Sequence, residues 1–590
     1  MVLIESAAGG ALLLAGVWLA GAVLAPGAGD GGRLGVGVCA LVGAAWLPLW
    51  QPLVGGSLLG RPWLLRIALV AALGAGLALR RPRLLPLRPP PGGAVLALAV
   101  AELVLAWPLL RTPTDQMGGG DVLWHLGWTR QLAGGLAEPA GVYGGIPSAY
   151  PWLYHSLLAG LLGALPGAMP AALLVLQVTA VGAGCLGAWL LARELGFDRG
   201  EAAWAVLLVP AAGGLGWLWS RGAGAVGAAL PGETGAYGGD LVLSPAATPA
   251  LGGLPPVLPR DLGVLLVPLA LWAFARGLGG GRWACAGGGF LIGCVALIAP
   301  VAGLVAAAGA VALAVARRRP AWEALLGAAV AVAPWAAPFA WHAHDRGGVV
   351  NTSEVVPLSL TASQVAVTLG LVPLLAVGGI WLARARRDLD RRAAVALLAV
   401  TALTLAVALL FSGDGHRGAA QAFGRGLRYL PFAMLGLAFP AALCTAWLAR
   451  RAGRYAPLAA TAIAVVLLAS AASASVAQSQ RVIGFDGEHR LDCVRGGTLR
   501  PGQTVALLAD SSDDLRVFGE TGAYLLYRER PRVRFREWSP SQAQRTAWLG
   551  DLRAGGRVPA DWVLAPGGTD GIACQAGHTA LRLTRLSAGP

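Results

Sequence analysis

The sequence predicts a polytopic α-helical membrane protein of about fourteen spans, followed by a small polar C-terminal domain. Hydrophobic residues make up 56% of the 590-residue chain and charged residues only 13%, against about 25% charged residues in average soluble domains. The apolar residues fall in runs of about 20, a length that crosses a bilayer as a helix. A transmembrane β-barrel would show short alternating segments instead, so that class is excluded.

The arginines between the apolar runs predict which way the chain crosses the membrane. Four clusters occur, at 80–83, 317–319, 384–392 and 450–454. All four lie on the cytoplasmic side, as basic loops usually do, when the N-terminus is placed outside. Segment 152–166 is short and is predicted to lie along the interface. The predicted spans are near 8–26, 34–54, 62–80, 93–111, 170–193, 201–219, 260–277, 283–299, 300–316, 321–342, 362–383, 391–411, 428–449 and 456–476.

This topology divides the chain into four parts. Residues 1–111 form scaffold spans, 112–169 the first extracytoplasmic loop with its juxtamembrane helices, and 170–477 the remaining transmembrane core. The tail, 478–590, is polar and long enough for a small core. We expect a small α/β or β-rich extracytoplasmic domain there, because three stretches read as short strands: TVALLAD (504–510), RVRFREW (532–538) and DWVLAP (561–566).

The net charge of +15 does not indicate a nucleic-acid partner. Most arginines lie in short clusters beside apolar spans, where they orient helices among membrane lipids. Nucleotide-driven transport is disfavoured as well, because no GxxxxGK[ST] phosphate loop occurs. Five of the seven cysteines lie in apolar segments and are predicted to be packing residues. Cys493 and Cys574 lie in the tail and are a plausible disulfide if it faces an oxidising compartment.

The stretch GGGDVLWHLGWTRQL, which begins at Gly118, places charge at the edge of the membrane. From Val122 onward it predicts an amphipathic helix, on which Asp121 and His125 share one face. An acid at this position is costly unless it has a use. Asp121 is either a general base or the N-cap of the helix. His125 and His155 either act directly or form hydrogen bonds at the interface.

Three segments together resemble the GT-C glycosyltransferases, which are multi-spanning enzymes that use polyprenyl-phosphate-linked sugars. They are the stretch just described, YGGIPSAYPWLYHSL from Tyr143, and GAWLLARELGFDRGEAAWAVLLVP from Gly187. The first two are similar to the galactan-priming arabinofuranosyltransferases of actinobacterial cell walls. The chain departs from that pattern at His125 and at 152–155, so the sugar and the acceptor stay open. The fold class is therefore GT-C-like.

The resemblance implies a transfer reaction on the extracytoplasmic face of a bacterial plasma membrane, with a polyprenyl-phosphate sugar as donor and an envelope glycan as acceptor. Asp121 would be the catalytic base. The lipid-phosphate leaving group needs cations or hydrogen-bond donors, although each of these residues could also be a snorkelling group at a span end. The candidates are His125, Arg130, Tyr150, His155, Arg260, His344, Arg346, His416, Arg425 and Arg428. No cofactor or metal site is predicted, and a divalent cation is an open alternative.

Two other classes of function compete with an enzyme. One is a transporter or flippase of a lipid-linked intermediate, which would place polar groups near the membrane midplane. The other is a non-catalytic subunit for envelope assembly that uses the tail for binding. Few charges lie inside the predicted spans apart from Glu102, and most gather at one face. This distribution favours the enzyme.

Overall fold

The computed structural model describes two kinds of structure, a large set of helices and a small β-sheet. The residues described are 2–25, 30–51, 120–134, 151–164, 169–211, 258–343, 369–410, 429–467, 503–507, 532–534, 561–566, 571–576 and 579–585. The helices are α1 (Val2–Leu24), α2 (Asp30–Trp46), α3 (Gly120–Ala133), α4 (Leu153–Ala164), α5 (Met169–Glu194), α6 (Arg199–Ala211), α7 (Pro259–Gly280), α8 (Arg282–Ile298), α9 (Pro300–Ala316), α10 (Trp322–Ala343), α11 (Val372–Ala383), α12 (Arg391–Leu410) and α13 (Leu430–Arg451).

The predicted helical class is confirmed for the described part of the chain. Five helices are long and apolar enough to cross a membrane: Gly31–Trp50, α5, α7, α12 and α13. Shorter apolar helices lie where other spans are predicted, including α8 to α11 and Gly453–Leu467. The predicted spans 62–80 and 93–111 lie outside the described residues, so the number of spans stays a prediction. At 12 residues, α4 is about 18 Å long and too short to cross.

Small residues let the central helices approach one another closely, as is common in membrane bundles. Helix α8 packs against both α7 and α10. A Cβ added at Gly289 of α8 would lie 1.9 Å from the carbonyl oxygen of Ala324, in α10. A Cβ added at Gly327 of α10 would lie 2.0 Å from the carbonyl oxygen of Ala286, in α8. The two backbones are therefore nearly in contact along this crossing.

Gly289→Ala is expected to destabilise the protein by about 1–3 kcal/mol, because overpacking against a backbone atom cannot be relieved by a rotamer change. Gly287, two residues earlier, is the matched control, since nothing lies within 4 Å of an added Cβ there. Gly287→Ala should leave stability unchanged or raise it by up to about 1 kcal/mol through helix propensity. Melting temperatures of the purified proteins in detergent test this. Equal melting temperatures for the two variants would contradict the close α8–α10 crossing.

Two groups of ion pairs, together called the charged layer, lie at one end of many helices. It consists of Glu194, Asp198, Glu201, Arg276, Arg317, Arg386, Asp388, Asp390 and Arg450. These residues lie at the ends of α5, α7, α9 and α13, at the starts of α6 and α12, and in the segment between α11 and α12. Arg386 and Arg450, from two of the predicted clusters, share Glu201. Arg317, from a third, pairs with Glu194 and with Asp390. That this side is cytoplasmic stays a prediction.

The tight turn after α5 brings the α5–α6 connection into the charged layer. Gly196 has φ +92°, and an added Cβ would lie 2.4 Å from the carbonyl oxygen of Asp388. The Asp390 N–H donates to the Leu195 carbonyl oxygen at 3.0 Å. Only glycine combines this backbone conformation with so close an approach. The α5–α6 turn is therefore fixed to the segment that precedes α12.

The described part of the tail forms a five-stranded sheet in the order β2-β1-β3-β5-β4. Strand β1 pairs in parallel with β2 and β3. Strand β5 pairs antiparallel with β3 and β4. Three strands fall within the stretches predicted from sequence, whereas the β4–β5 hairpin was not predicted. The strands are β1 (Thr504–Leu507), β2 (Arg532–Arg534), β3 (Trp562–Pro566), β4 (Ile572–Ala576) and β5 (Thr579–Arg585).

Cys574 of β4 is buried and disulfide-bonded. The five cysteines predicted to be packing residues, which are Cys39, Cys185, Cys285, Cys294 and Cys444, are all free thiols. Cys493, the predicted partner of Cys574, lies beyond the described ranges.

Candidate functional site

Helices α3 and α4 pack against each other and bring two of the predicted site residues together. Helix α3 begins at Gly120, directly after the first two glycines of the opening stretch, so Asp121 lies in its first turn. His125 follows one turn later, and side chains four residues apart on a helix are neighbours. The helix predicted from Val122 onward is therefore confirmed. The side chain of Asp121 is outside the described part.

The two histidines form a direct hydrogen bond between the helices. Nδ1 of His125 lies 2.9 Å from Nε2 of His155, and the two rings stack with centroids 5.1 Å apart. One nitrogen must donate an N–H and the other must accept it. At most one of the two imidazoles can therefore be fully protonated while this bond persists.

Aromatic side chains surround the histidine pair. The rings of Trp128 and Tyr154 meet the His155 ring edge-on, with centroids 5.2 Å and 5.3 Å away. Tyr154 is fully buried. Helix α4 is also tied to α2, because the Ser156 hydroxyl donates to the Ala45 carbonyl oxygen at 2.6 Å. Trp128, Tyr154 and Ser156 were not predicted as site residues, and only their nearness to His125 and His155 in the sequence could have pointed to them.

The predicted amphipathic character of α3 is wrong. Leu126, Thr129 and Gln131 lie on different sides of the helix, and all three are buried. The Thr129 hydroxyl is satisfied within the helix by the His125 carbonyl oxygen at 2.8 Å. At these positions α3 is therefore enclosed by other parts of the protein on more than one side.

His155 is completely buried, whereas His125 is partly exposed. Burial, and second the neighbouring His125 imidazole, hold the pKa of His155 well below its usual value. His155 is therefore neutral at neutral pH. A neutral, enclosed imidazole is suited to orient His125, so any contact between substrate and this pair would be made through His125.

Acidification below about pH 6.5 is expected to destabilise the protein, because the unfolded chain binds a proton at His155 near that pH and the folded protein does not. The folded protein therefore has its full stability above about pH 6.5 and loses stability as the pH falls below that value. Melting temperatures between pH 7.5 and 5 should decline more steeply for the wild type than for His155→Gln. Parallel profiles for the two proteins would show that His155 does not carry the titration.

Arg260 and Asp261 lie in the first turn of α7 and interact with each other, as the sequence suggested. One Arg260 nitrogen lies 3.5 Å from a carboxylate oxygen of Asp261. Asp261 is 3% exposed and accepts the backbone N–H of Leu258 at 3.1 Å, so it caps the helix. Arg260 is 38% exposed. The pair therefore has a structural role, and most of the Arg260 donors are not used by Asp261.

The other predicted site residues are distributed unevenly over the described ranges. Arg130 lies in the last turn of α3 and is partly buried. Those outside the described residues are Tyr150, His344, Arg346, His416, Arg425 and Arg428. Among the described side chains, no three of His, Cys, Asp or Glu are grouped as metal ligands would be. Among the residues predicted to bind the lipid phosphate, the structure thus brings His125 and His155 together. That the predicted arginines and histidines form one cationic site stays a prediction.

The fold is similar to several solved structures. They include the oligosaccharyltransferase of Archaeoglobus fulgidus (12% identity, TM-score 0.44, covering 80% of this chain and 69% of that one). ArnT from Cupriavidus metallidurans bound to undecaprenyl phosphate matches at 14% identity and TM-score 0.44, over 85% and 99% of the two chains. The mycobacterial arabinofuranosyltransferase AftD matches at 17% identity and TM-score 0.43, over 81% and 37%. No family model and no curated protein matches the sequence.

Proposed function

We propose that the chain is a GT-C-type membrane glycosyltransferase that transfers a sugar from a polyprenyl-phosphate donor to a cell-envelope glycan on the extracytoplasmic face. Arabinofuranose is the first sugar to test, since the opening stretch resembles the arabinofuranosyltransferases. One observation carries the proposal. Asp121 lies in the first turn of α3, one turn before a histidine that is hydrogen-bonded to the buried His155 of α4.

The proposed chemistry is a single displacement at the anomeric carbon. An acceptor hydroxyl oxygen forms the new bond to this carbon, and the bond from the carbon to the phosphate oxygen breaks. The polyprenyl phosphate leaves with the electron pair, and Asp121 takes the hydroxyl proton. Cations or N–H groups near the leaving phosphate stabilise its developing charge. Of the candidates with described side chains, Arg130, Arg260 and His125 could supply such groups.

The histidine pair would fix the orientation of one of these donors. Nδ1 of His125 is engaged by His155, so contact with a substrate would be made through Nε2 of His125. The hydrogen bond made by one imidazole nitrogen sets the role of the other. Burial of His155 among Trp128 and Tyr154 keeps this arrangement rigid. A rigid donor loses little entropy when the substrate binds.

Two observations support catalysis on the extracytoplasmic face. Helix α5 starts at Met169, shortly after α4, and ends at Glu194 in the charged layer. With 26 residues it is about 39 Å long, so α4 and the charged layer lie at opposite ends of a span. The disulfide at Cys574 suits a tail in an oxidising compartment. Both agree with a cytoplasmic charged layer and a site on the other side.

The proposal is tested by a transfer assay with membranes from cells that express the wild type or Asp121→Asn. Radiolabelled polyprenyl-phosphate sugars are offered one at a time, arabinofuranose first, with a galactan-like acceptor. Transfer by the wild type and its loss in the variant would support both the reaction and the base. If the wild type transfers none of the sugars while remaining folded, the proposed reaction is wrong. A transporter or an assembly subunit would then be favoured.

A further inference from the structure

An apolar cavity of about 300 Å³ lies beside α12, well away from the α3–α4 contact. Side chains from six helices line it, namely α5, α7, α9, α11, α12 and α13. Its two threonines, Thr401 and Thr404, donate their hydroxyl groups to carbonyl oxygens of α12 itself. The interior therefore offers apolar surface to a ligand, in a volume at the lower end of the range for small-molecule sites.

The cavity opens on the outer surface of the helices. Val395 of α12 lines it and is nevertheless 64% exposed. Helix α12 itself is loosely packed: 22% of its most apolar window is buried, compared with 83% for α7. In a bilayer, this surface faces lipid, so an apolar opening here is accessible to lipid chains.

Two arginines line the cavity at the end nearest the charged layer. Arg384 follows the end of α11, Arg391 begins α12, and both are exposed. Arg386, between them, is neutralised by Glu201 and Asp388. Within the described ranges, neither Arg384 nor Arg391 forms an ion pair with a carboxylate. The Arg391 Nε–H donates to the Arg386 carbonyl oxygen at 2.7 Å, which helps to hold that side chain in place.

We propose that this cavity binds one acyl chain of an anionic phospholipid, whose phosphate is held by Arg384 and Arg391. A guanidinium binds phosphate with two parallel hydrogen bonds. The charged layer is on the side predicted to be cytoplasmic, and anionic phospholipids are concentrated in that leaflet. The cavity offers an apolar lining and two arginines that pair with no carboxylate among the described residues, so it complements both the chain and the phosphate of such a lipid. The bound chain would fill the space behind α12 and brace this helix against α9 and α13.

The test measures phospholipid binding to the purified full chain in an uncharged detergent. Phosphatidylglycerol and phosphatidylcholine with identical chains are added in turn, and binding is followed by native mass spectrometry and by melting temperature. We expect phosphatidylglycerol to be retained and to raise the melting temperature, and phosphatidylcholine to do neither. Arg384→Gln combined with Arg391→Gln should raise the dissociation constant for phosphatidylglycerol about thirtyfold, since each arginine near anionic lipid contributes a factor of about five.

Arg387 and Arg392 provide the matched control. Both are exposed and lie in the same segment, but neither lines the cavity. Arg387→Gln combined with Arg392→Gln removes the same charge and should leave binding unchanged. An equal loss in both double variants would mean diffuse attraction and would overturn the site. Equal binding of phosphatidylglycerol and phosphatidylcholine by the wild type would also overturn the site.

A second variant tests the cavity and not the charge. Ala394 of α12 lines the cavity, and Ala394→Phe would fill part of it while both arginines remain. Retained phosphatidylglycerol binding in this variant would contradict insertion of the chain. Polyprenyl phosphate is added as a competitor. If it binds in place of phosphatidylglycerol at equal concentration, the occupant is the lipid of the proposed donor and the phospholipid assignment is wrong.

Discussion

Replacing Asp121 by asparagine is expected to lower the rate of sugar transfer by about 10²–10⁴-fold, the usual contribution of a positioned general base. Asparagine has nearly the same size and can still accept hydrogen bonds, but it cannot take the proton from the acceptor hydroxyl. The loss should appear in kcat with little change in KM, because the proton moves only in the transition state. Initial rates over a range of donor concentrations separate the two constants.

Asp121→Ser distinguishes a base from a residue that only helps to start α3. Asp121 is the second residue of α3, after Gly120, so it is not the N-cap that the sequence offered as an alternative. Serine keeps a hydrogen-bonding side chain in this first turn, but it is not a base at neutral pH. If Asp121 is the base, Asp121→Ser should be as inactive as Asp121→Asn, with an unchanged melting temperature. Full transfer by the serine variant would show that the residue serves only to start α3. Asp121→Glu, which keeps the carboxylate, is expected to recover part of the activity.

Much of the helical architecture could be predicted because it depends on local patterns. The separate spans predicted at 283–299 and 300–316 correspond to α8 and α9, and the chain is extended at Ala299 between them. Proline at the first position of a helix is compatible with a new start. The hydrophobic period and Pro300 are both visible in the sequence, so this boundary needs no tertiary information.

The contacts between distant residues could not be predicted in the same way. His125 and His155 are 30 residues apart, and their hydrogen bond depends on how α3 packs against α4. Arg386 and Glu201 are 185 residues apart. The arginine clusters predicted which residues share a side but not which carboxylates neutralise them. The enclosure of α3 was missed for a related reason, because Thr129 and Gln131 are polar and read as surface residues until their surroundings are known.

Glu201→Ala is expected to lower the free energy of unfolding by about 1–3 kcal/mol, because it removes a buried hydrogen-bonded carboxylate while Arg386 and Arg450 keep Asp388 and Asp198 as partners. The side chain of Glu201 is 1% exposed and accepts from Arg386 at 2.5 Å and from Arg450 at 2.8 Å. Its second oxygen accepts the backbone N–H of Asp198 at 2.9 Å, and Asp198 accepts the Glu201 N–H in return. One carboxylate thus caps α6 and links it to two arginines from other parts of the bundle.

Glu323→Ala is the control, because Glu323 lies in the first turn of α10 at the same end of the helices and, among the described residues, forms no ion pair. It should change stability by less than about 1 kcal/mol. Unfolding in denaturant-containing detergent compares the two variants, and equal effects would show that the network adds nothing at Glu201. Since the charged layer is at the other end of α5 from the α3–α4 contact, sugar transfer per folded molecule should be unchanged in Glu201→Ala. A loss of transfer without a loss of stability would instead place Glu201 in communication with the site.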